Sequence, residues 1–364
     1  MIMNYLTEIF RKYGKVYLSE FHDKILPSHR KVINDISKCR MPESGGKVYK
    51  CKVCKKDNYS YHSCNNRSCP KCGGDKIKQW VKKQFSLLLP VPYFFVTFTL
   101  PAEFRSVVRS NQKYFYSLFF RTSARALKIL AKEKRFVGGD IGFMGVIQTW
   151  ARNLIYHPHI HYIVPMAALS SDRKKFLKIK NKKFLVHVKP LGMLFKKLFR
   201  QELKETEFYS QIPCGVWEKN WVVHAEPAGY GREVIKYIAP YVYRAAISNN
   251  KIKKFENEEV TFEYKDYETK EIKECTLPVL EFMRRFLQHV LPSGFMKVRY
   301  FGIMSANQKK KWLMLKQIIY SRLSKKSKTR FLNIENFQPE KKTEPCCRFC
   351  GGELIVTNIL YRAP

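Results

Sequence analysis

The segment Ile155-Tyr-His-Pro-His-Ile-His-Tyr-Ile-Val164 places a histidine at every second position. Apolar and aromatic residues surround His157, His159 and His161, and this composition favours a β-strand. Successive side chains of a strand point to opposite faces of the sheet, so all three imidazoles are predicted on one face. The alternation therefore predicts one polar and one apolar face for this strand.

Two imidazoles on one strand face can chelate a single divalent cation and leave other coordination positions open. Such a cation can polarise a phosphate oxygen and stabilise the charge that develops there. The third ligand is not evident, although Gln148 in the preceding predicted strand FMGVIQTW is a candidate. The alternative interpretation is a row of surface histidines without a metal.

A tyrosine pair follows downstream, in the predicted helix REVIKYIAPYVYRAAIS. Tyr237 and Tyr241 are four residues apart and share one helix face. A tyrosine can attack a phosphodiester and form a phosphotyrosine without any nucleotide, and the chain has no GxxxxGKS/T loop. Pro240 should kink this helix or mark its start, which favours Tyr241 as the nucleophile. In a chain with 21 tyrosines, the pair can also be a simple packing feature.

Six of the eleven cysteines fall between Cys39 and Cys72. The pairs Cys51-x2-Cys54 and Cys69-x2-Cys72 are separated by 14 residues, which predicts one tetrahedral zinc bound by four thiolates in a small ribbon. A closed site of this kind has a structural role, here in a module that binds DNA. Buried free cysteines and an iron–sulfur centre are the alternatives.

Further potential ligands do not complete a site by spacing alone. Four of them lie near the cysteine cluster and either form a second zinc site or simply pack: Cys39, Cys64, His62 and His29. Near the C-terminus, Cys347-x2-Cys350 repeats the CxxC spacing. Two thiolates are only half of a tetrahedral site, and the sequence does not reveal their partners.

The charge of the chain points to an acidic partner. Lys+Arg is 68 and Asp+Glu is 30, so the formal net charge is 68 − 30 = +38. Nucleic acid is the first candidate because its phosphates are neutralised by Lys and Arg, and an anionic membrane surface is the second. Two basic segments, Asp172–Lys204 and Gln308–Arg330, are candidate DNA-contacting surfaces. The second segment also predicts a helix with one apolar stripe, formed by Trp312, Leu315, Ile319 and Leu323.

No segment predicts insertion into a membrane. The longest uncharged stretch, Phe85–Ala102, contains three prolines and the β-rich run FFVTFTL, which favours a strand. The first 25 residues lack the apolar run and cleavage site of a signal peptide. We therefore expect no membrane association and a cytoplasmic, nucleoid-associated protein.

Five motifs, taken in order, resemble the rolling-circle transposases of bacterial insertion sequences of the ninety-one type, in the HUH endonuclease superfamily. The zinc-binding start of that family is similar to CRMPESGGKVYKCKVC with SCNNRSCPKC, and its first catalytic strand to PYFFVTFTLPAEFR. Its HUH segment is similar to IQTWARNLIYHPHIHYIVP, and its tyrosine motif to YIAPYVYRAAISN. A late block of the family resembles EFMRRFLQHVLPSGFMKVRYFGIMS.

The resemblance implies a central antiparallel sheet with flanking helices, which presents the histidines beside the tyrosine helix. It identifies His159 and His161 as the HUH histidines. It also implies that Tyr241, with Tyr237 as a second nucleophile, nicks single-stranded DNA at the element's ends and leaves a 5′-phosphotyrosine and a free 3′-OH, assisted by Mg²⁺ or Mn²⁺. Phe95 and Gln148 stand where the family often carries histidine, so the third metal ligand stays open.

The alternation of strands and helices, with a predicted hairpin at VTFEYKDYETKEIKECTLP, indicates an α+β fold. We predict a helical N-terminus with a zinc-ribbon-like DNA-binding module over residues 1–90. The HUH nuclease domain is predicted over 91–250. A C-terminal region with the hairpin, basic helices and the CxxC tail is predicted over 251–364.

Two other functions stay open at this point. A replication initiator or relaxase of the same superfamily would share the chemistry and differ in the DNA on which it acts. A zinc-ribbon DNA-binding protein without catalysis is the second alternative, and the intact His159, His161 and Tyr241 disfavour it. The sequence does not reveal the oligomeric state or the DNA sequences at the cleavage site.

Overall fold

A computed structural model describes residues 5–362, apart from positions 152, 171, 173–174, 180–184, 244–245, 267 and 326–344. Within this part, helices surround antiparallel sheets, which confirms the predicted α+β fold. The helices are α1 (Tyr5–Glu20), α2 (Pro27–Ser37), α3 (Gly73–Leu87), α4 (Arg105–Ser110), α5 (Gln112–Lys132), α6 (Val188–Lys204), α7 (Gly231–Tyr243), α8 (Val279–Leu287) and α9 (Lys309–Ser321).

The strands of the described residues form four sheets, in which every pairing is antiparallel. They are β1 (Gly46–Cys51), β2 (Asp57–Tyr61), β3 (Pro92–Thr99), β4 (Gly142–Trp150), β5 (Tyr156–Pro165), β6 (Ala167–Leu169), β7 (Phe176–Lys178), β8 (Val223–Tyr230), β9 (Ile252–Glu256), β10 (Glu259–Lys265), β11 (Ile272–Pro278), β12 (Val298–Gly302) and β13 (Leu354–Leu360).

The largest sheet has five strands in the order β12-β4-β5-β3-β8. The histidine strand β5 is the middle strand, as the resemblance implied. Its neighbours β3 and β4 are rich in buried aromatic and β-branched residues, because both of their faces are covered. The short strand β12 comes from the late part of the chain and pairs with β4 at the edge.

Helices cover both faces of this sheet. On one face, α4, α5 and α6 enclose an aromatic core that includes Phe98, Tyr162 and Phe195. On the other face, α3, α7 and α9 pack on a second set of apolar side chains from β3, β4 and β5. Three residues of the predicted apolar stripe, Trp312, Leu315 and Ile319, are buried there, whereas the fourth, Leu323, lies beyond the end of α9.

A separate core joins the N-terminal helices α1 and α2 to the sheet β11-β10-β9 and helix α8. Strands β10 and β11 form the predicted hairpin, with Glu259 opposite Pro278 and Lys265 opposite Ile272. The sequence did not reveal the third strand, β9. This second core lies beside the connection between β4 and β5, because Leu154 of that connection is buried in it.

A three-stranded ribbon, β13-β1-β2, combines the two ends of the described chain. Strand β13 pairs along β1, from Gly46 opposite Leu360 to Cys51 opposite Leu354. The predicted C-terminal region 251–364 thus contributes β12 to the five-stranded sheet and β13 to the N-terminal ribbon. The sheets are therefore not divided along the three predicted sequence ranges, and those ranges stay a prediction about domains.

Candidate active site and metal centres

The histidines occupy one face of β5, as the alternation predicted. The side chains of Tyr156, Ile160 and Tyr162 are buried in the aromatic core. The intervening His157, His159 and His161 are half-buried and point to the opposite face of the sheet. Ile163 continues this face and packs in the same core as α7. The histidine row and helix α7 therefore lie on the same side of the sheet.

Two of the histidines converge on Gln148, which lies opposite His159 on the neighbouring strand β4. The Nε2 atom of His159 is 2.8 Å from Gln148 Oε1, and that of His161 is 3.3 Å from the same oxygen. Gln148 is buried, and its Nε2 atom has no hydrogen-bond partner among the described residues. The fold thus brings the three candidate ligands of the sequence analysis to one point.

The protonation of His159 follows from its second ring nitrogen. His159 Nδ1 lies 2.7 Å from the carbonyl oxygen of His157, which can only accept, so Nδ1 carries the proton. The neutral ring then directs the lone pair of Nε2 toward Gln148 Oε1, which is also an acceptor. Two facing lone pairs repel each other, and either a cation between them or a rotated amide group removes the repulsion. This donor set fits a divalent cation.

The electrostatics of the face keep both rings neutral. Burial lowers the pKa of His159 to about 3, and the adjacent His161 lowers it further. Burial likewise lowers the pKa of His161 to about 4. At neutral pH both rings therefore offer a nitrogen lone pair, which is the form that binds a metal ion.

The third histidine does not join this cluster. His157 has its Nδ1 atom 3.4 Å from the guanidinium of Arg105, and burial lowers its pKa, as does the charge of Arg105. Its backbone carbonyl orients His159, whereas its ring forms no hydrogen bond with Gln148 among the described residues. The even spacing of the three histidines could not distinguish these roles.

Three further polar residues lie on this sheet face and were not predicted from the sequence. Thr97 of β3 lies opposite His161, and its hydroxyl is 3.0 Å from His161 Nδ1. On the edge strand β8, His224 lies opposite Thr97 and contacts Glu226, with His224 Nε2 3.4 Å from Glu226 Oε2. The alternation in WVVHAEP indicates a strand but not its neighbour in the sheet. Only the register with β3 shows that His224 and Glu226 lie on the histidine face.

The connection before the histidine strand is held by the turn that follows helix α8. Leu154 has a positive φ of 63°, which is uncommon for a branched side chain. Its carbonyl accepts hydrogen bonds from Gln288 Nε2 at 2.8 Å and His289 Nε2 at 3.1 Å. Residues from the late part of the chain thus fix the turn that leads into β5.

Helix α7 follows β8 directly and covers the histidine face. Val234, Ile235 and Ile238 are buried in the same core as Ile163. The helix runs through Pro240, so it neither begins there nor excludes Tyr237. Tyr237 and Tyr241 both lie in α7, one turn apart, but their side chains lie outside the described part of the structure.

The cysteines form two clusters, and the predicted grouping of Cys51 and Cys54 with Cys69 and Cys72 is wrong. Cys69 and Cys72 instead meet two candidates for a second site, Cys39 and Cys64. The Sγ atoms of Cys39 and Cys72 are 3.5 Å apart, as are those of Cys64 and Cys72. The earlier grouping failed because CxxC spacing identifies a pair of ligands and not its partner pair. His29 and His62 are not members of this described cluster.

The second cluster joins distant parts of the chain. Cys51 Sγ lies 3.5 Å from Cys350 Sγ, and Cys54 Sγ lies 3.6 Å from Cys347 Sγ. A tetrahedral zinc with Zn–S bonds of about 2.3 Å places its sulfurs about 3.8 Å apart. Both clusters therefore match the size of a four-thiolate zinc site. In the first cluster, hydrogen bonds from Cys64 and Cys69 lower the pKa of the Cys39 thiol to about 7, which favours a thiolate ligand.

Comparison with known proteins identifies the family. Residues 9–100 match a family model described as "Transposase zinc-binding domain", and residues 142–311 match one described as "Putative transposase". "Transposase for insertion sequence element IS801" of Pseudomonas savastanoi pv. phaseolicola is 26% identical over 278 residues, which cover 72% of this chain and 66% of that protein. "Putative transposase y4qJ" of Sinorhizobium fredii is 35% identical over 320 residues, or 82% of this chain and 80% of that protein.

The chain belongs to the transposases of the insertion-sequence ninety-one type. The resemblance that the sequence motifs indicated is thereby confirmed. No solved structure matches this transposase. Transposases act on DNA, and the net charge of +38 agrees with such a partner. Among the helices described for the transposase, none is both long and apolar enough to span a bilayer.

Proposed function

We propose that this transposase cuts and rejoins single DNA strands at the ends of its insertion sequence through a 5′-phosphotyrosine intermediate. One observation carries the proposal. The Nε2 atoms of His159 and His161 converge with Gln148 Oε1 on the sheet face that α7 covers. A cation at these three groups and a tyrosine of α7 would then act on the same phosphodiester.

In the proposed first step, the phenolic oxygen of Tyr241 attacks the phosphorus of one phosphodiester. A bond forms between this oxygen and phosphorus, and the bond from phosphorus to the 3′ oxygen breaks. The phenolic proton passes to water, and the departing 3′ oxygen takes up a proton and becomes a free 3′-OH. Rejoining is the reverse displacement, in which a 3′-OH attacks the phosphotyrosine and releases Tyr241. Tyr237 is the proposed second nucleophile, which would hold a second strand.

The sheet residues would hold and orient the cation. Mg²⁺ or Mn²⁺, when bound there, supplies positive charge that stabilises the phosphate oxygens during displacement. His159 and His161 provide two neutral ring nitrogens, and Gln148 provides one oxygen. Three protein ligands would leave further coordination positions for phosphate and water. The His157 carbonyl and the Thr97 hydroxyl support the ring orientations from outside the ligand set.

We also propose a structural zinc at Cys39, Cys64, Cys69 and Cys72. Four thiolates leave no open coordination position, so this zinc would take no part in the chemistry. The cluster directly precedes α3, and α3 packs against α7. Its proposed role is to fix the start of α3 and, through it, the position of the tyrosine helix.

Single-stranded DNA is the proposed substrate. Helix α6 buries one side against α5 and exposes Lys189, Lys197, Arg200 and Lys204 on the other. When such side chains bind DNA phosphates, counterions are released from the DNA. The affinity of the protein for a single-stranded oligonucleotide should therefore fall steeply between about 50 and 200 mM salt. Fluorescence anisotropy measures this directly, and a salt-independent affinity would contradict phosphate binding.

The chemistry is tested with single-stranded oligonucleotides from the ends of the insertion sequence and Mn²⁺ or Mg²⁺. A 3′-labelled oligonucleotide should become covalently attached to the protein, because the phosphate on the 5′ side of the cut joins tyrosine. A 5′-labelled oligonucleotide should yield a shorter product that a polymerase can extend from its 3′-OH. Both signals should disappear in Tyr241→Phe and in the double variant His159→Ala with His161→Ala. Tyr237→Phe should retain the first cut.

His157→Ala and Tyr243→Phe are the matched controls. His157 lies on the same strand face but forms no hydrogen bond with Gln148 among the described residues, and Tyr243 lies in the same helix. Both variants should form the adduct at rates close to that of the wild type. Failure to form any adduct, with DNA still bound, would instead favour a DNA-binding protein without catalysis.

A further inference from the structure

The cluster formed by Cys51, Cys54, Cys347 and Cys350 is not explained by the proposed active site. Cys51 and Cys350 are 299 positions apart in sequence, and their sulfurs are 3.5 Å apart. The two matching family models cover residues 9–100 and 142–311, so neither reaches the C-terminal half of this cluster.

The two CxxC turns have the same backbone conformation. The N–H of Cys51 donates to the carbonyl of Lys56, and the N–H of Cys347 donates to that of Gly352, which is the same step of five residues. Four residues after each first cysteine, Lys55 and Gly351 donate back to that cysteine's carbonyl. Both have a positive φ, 61° and 74°. Two unrelated segments thus form one kind of turn.

In both turns, backbone N–H groups point at the first sulfur. Val53 N is 3.4 Å from Cys51 Sγ, and Phe349 N is 3.4 Å from Cys347 Sγ. The side-chain amide of Asn58 lies 3.5 Å from Cys347 Sγ. Such donors stabilise a thiolate, which is the form that binds a metal. The turns therefore face each other as two prepared halves of a tetrahedral site.

We infer that these four cysteines bind a second structural zinc, which fastens residues 345–362 to the N-terminal ribbon. Strand β13 pairs with β1, but none of its seven side chains is buried. Apolar burial therefore contributes little to holding this strand in place. The cluster is the compact anchor of the C-terminal segment. Its four sulfurs lie within 4.8 Å of one another, which suits the closed four-thiolate coordination of a structural zinc.

The first test uses the wild-type protein as purified, so that it does not depend on a variant that folds. Eight cysteines belong to the two clusters and three do not: Cys214, Cys275 and Cys346. Alkylation followed by mass spectrometry should modify exposed Cys346 and spare Cys347 and Cys350. Chelation of zinc should make these two reactive. If they react as fast as Cys346 before chelation, the inference is overturned.

The second test counts the metal. Elemental analysis should find two zinc ions per wild-type chain and one in the double variant Cys347→Ser with Cys350→Ser. The matched control Cys346→Ser removes a neighbouring exposed thiol outside the cluster and should retain two. Two zinc ions in the double variant, or iron in place of zinc in the wild type, would refute the assignment.

The third test asks whether the metal fastens the segment. Arg348 lies inside the C-terminal turn, and trypsin can cleave after it only when the turn opens. Cleavage at Arg348 should be at least tenfold faster in the double variant than in Cys346→Ser. Equal rates would show that strand pairing alone holds the segment and that no zinc clamp is needed.

Discussion

The two faces of the five-stranded sheet differ sharply although the same strands build both. On one face, Phe98 and Tyr162 meet in edge-to-face contact at 5.6 Å between ring centroids, and Phe195 closes over Phe98 at 5.1 Å. On the other face, the adjacent positions carry Thr97 and His161, joined by a polar contact. One face is a dense aromatic core, and the other carries a polar row beside its own apolar side chains. A strand keeps the two sets apart by alternating its side chains.

The largest effect should come from the aromatic face. Phe98→Ala removes a fully buried ring and should lower the free energy of unfolding by about 3–5 kcal/mol. The adjacent variant Thr97→Ala changes the other face and should cost less than about 1 kcal/mol. Denaturant unfolding of both variants measures the difference. Equal losses would show that the aromatic position and the polar position contribute alike to stability.

A second variant tests how tightly the aromatic face is packed. Gly145 of β4 lies opposite Tyr162, and an added Cβ would come within 2.7 Å of Cδ1 of that ring. The ring cannot easily move, because its hydroxyl is hydrogen-bonded to Ser123. Gly145→Ala should therefore lower the free energy of unfolding by about 1–3 kcal/mol.

Gly215→Ala is the control for this substitution. An added Cβ there meets no atom within 4 Å among the described residues, and Gly215 is not among those with positive φ. Its free energy of unfolding should stay within about 0.5 kcal/mol of wild type. A loss at Gly145 no larger than at Gly215 would show that the face tolerates expansion.

On the histidine face, Thr97→Val keeps the shape of the side chain and removes the hydroxyl beside His161 Nδ1. Outer groups that orient a metal ligand typically change affinity or activity by 10- to 100-fold. We expect the Mn²⁺ concentration that half-saturates adduct formation to rise about tenfold. Thr97→Ser should restore it, since it returns the hydroxyl. An unchanged Mn²⁺ dependence would remove Thr97 from the site.

A more gradual effect, spread over several pH units, concerns the buried His289. Burial lowers the pKa of His289 to about 3, so the folded protein resists its protonation whereas the unfolded chain accepts a proton near pH 6.5. The contribution of neutral His289 to the free energy of unfolding is therefore fully present above about pH 6.5. It is lost as the pH decreases toward 3, by up to about 1.4 kcal/mol per pH unit. Unfolding curves from pH 8 to 5 should show a shallower decline in His289→Gln.

Above pH 7 the free energies of unfolding of wild type and His289→Gln should change with pH in the same way, because neither histidine nor glutamine at position 289 titrates there. This comparison uses slopes, so a constant loss of stability in the variant does not affect it. Identical slopes below pH 6 would mean that His289 becomes protonated in the folded state. The buried packing at Leu154 would then be looser than the structure indicates.

The sequence was sufficient for features that depend on local periodicity. The alternation around His159 predicted a strand with one polar face, and the spacing in Trp312, Leu315 and Ile319 predicted a helix with one buried stripe. Both are confirmed. Strand β12 was missed because its five residues are all half-buried and show no alternation. Its place in the sheet depends on pairing with β4, which no local pattern encodes.

The same limit explains the error in the cysteine assignment. Each CxxC pair was recognised correctly as two ligands, but the partner pairs are chosen by the tertiary fold. Thr97 was overlooked for the same reason, since it becomes relevant only through its register with His161. Pro240 was expected to interrupt or begin a helix, whereas α7 continues through it. There the surrounding packing outweighs a local preference.

Strand β13 is synthesised long after the two ribbon strands with which it forms a sheet. The ribbon strands β1 and β2 leave the ribosome early, but their partner lies almost 300 residues later, as the 299-position separation of Cys51 and Cys350 indicates. At a synthesis rate of about 5–20 residues per second, the edge of β1 stays unpaired for roughly 15–60 s before β13 is made. During this interval the edge is open to pairing with other chains. The two lysines of β1, Lys47 and Lys50, are exposed, and their charge discourages such pairing while the chain is still growing.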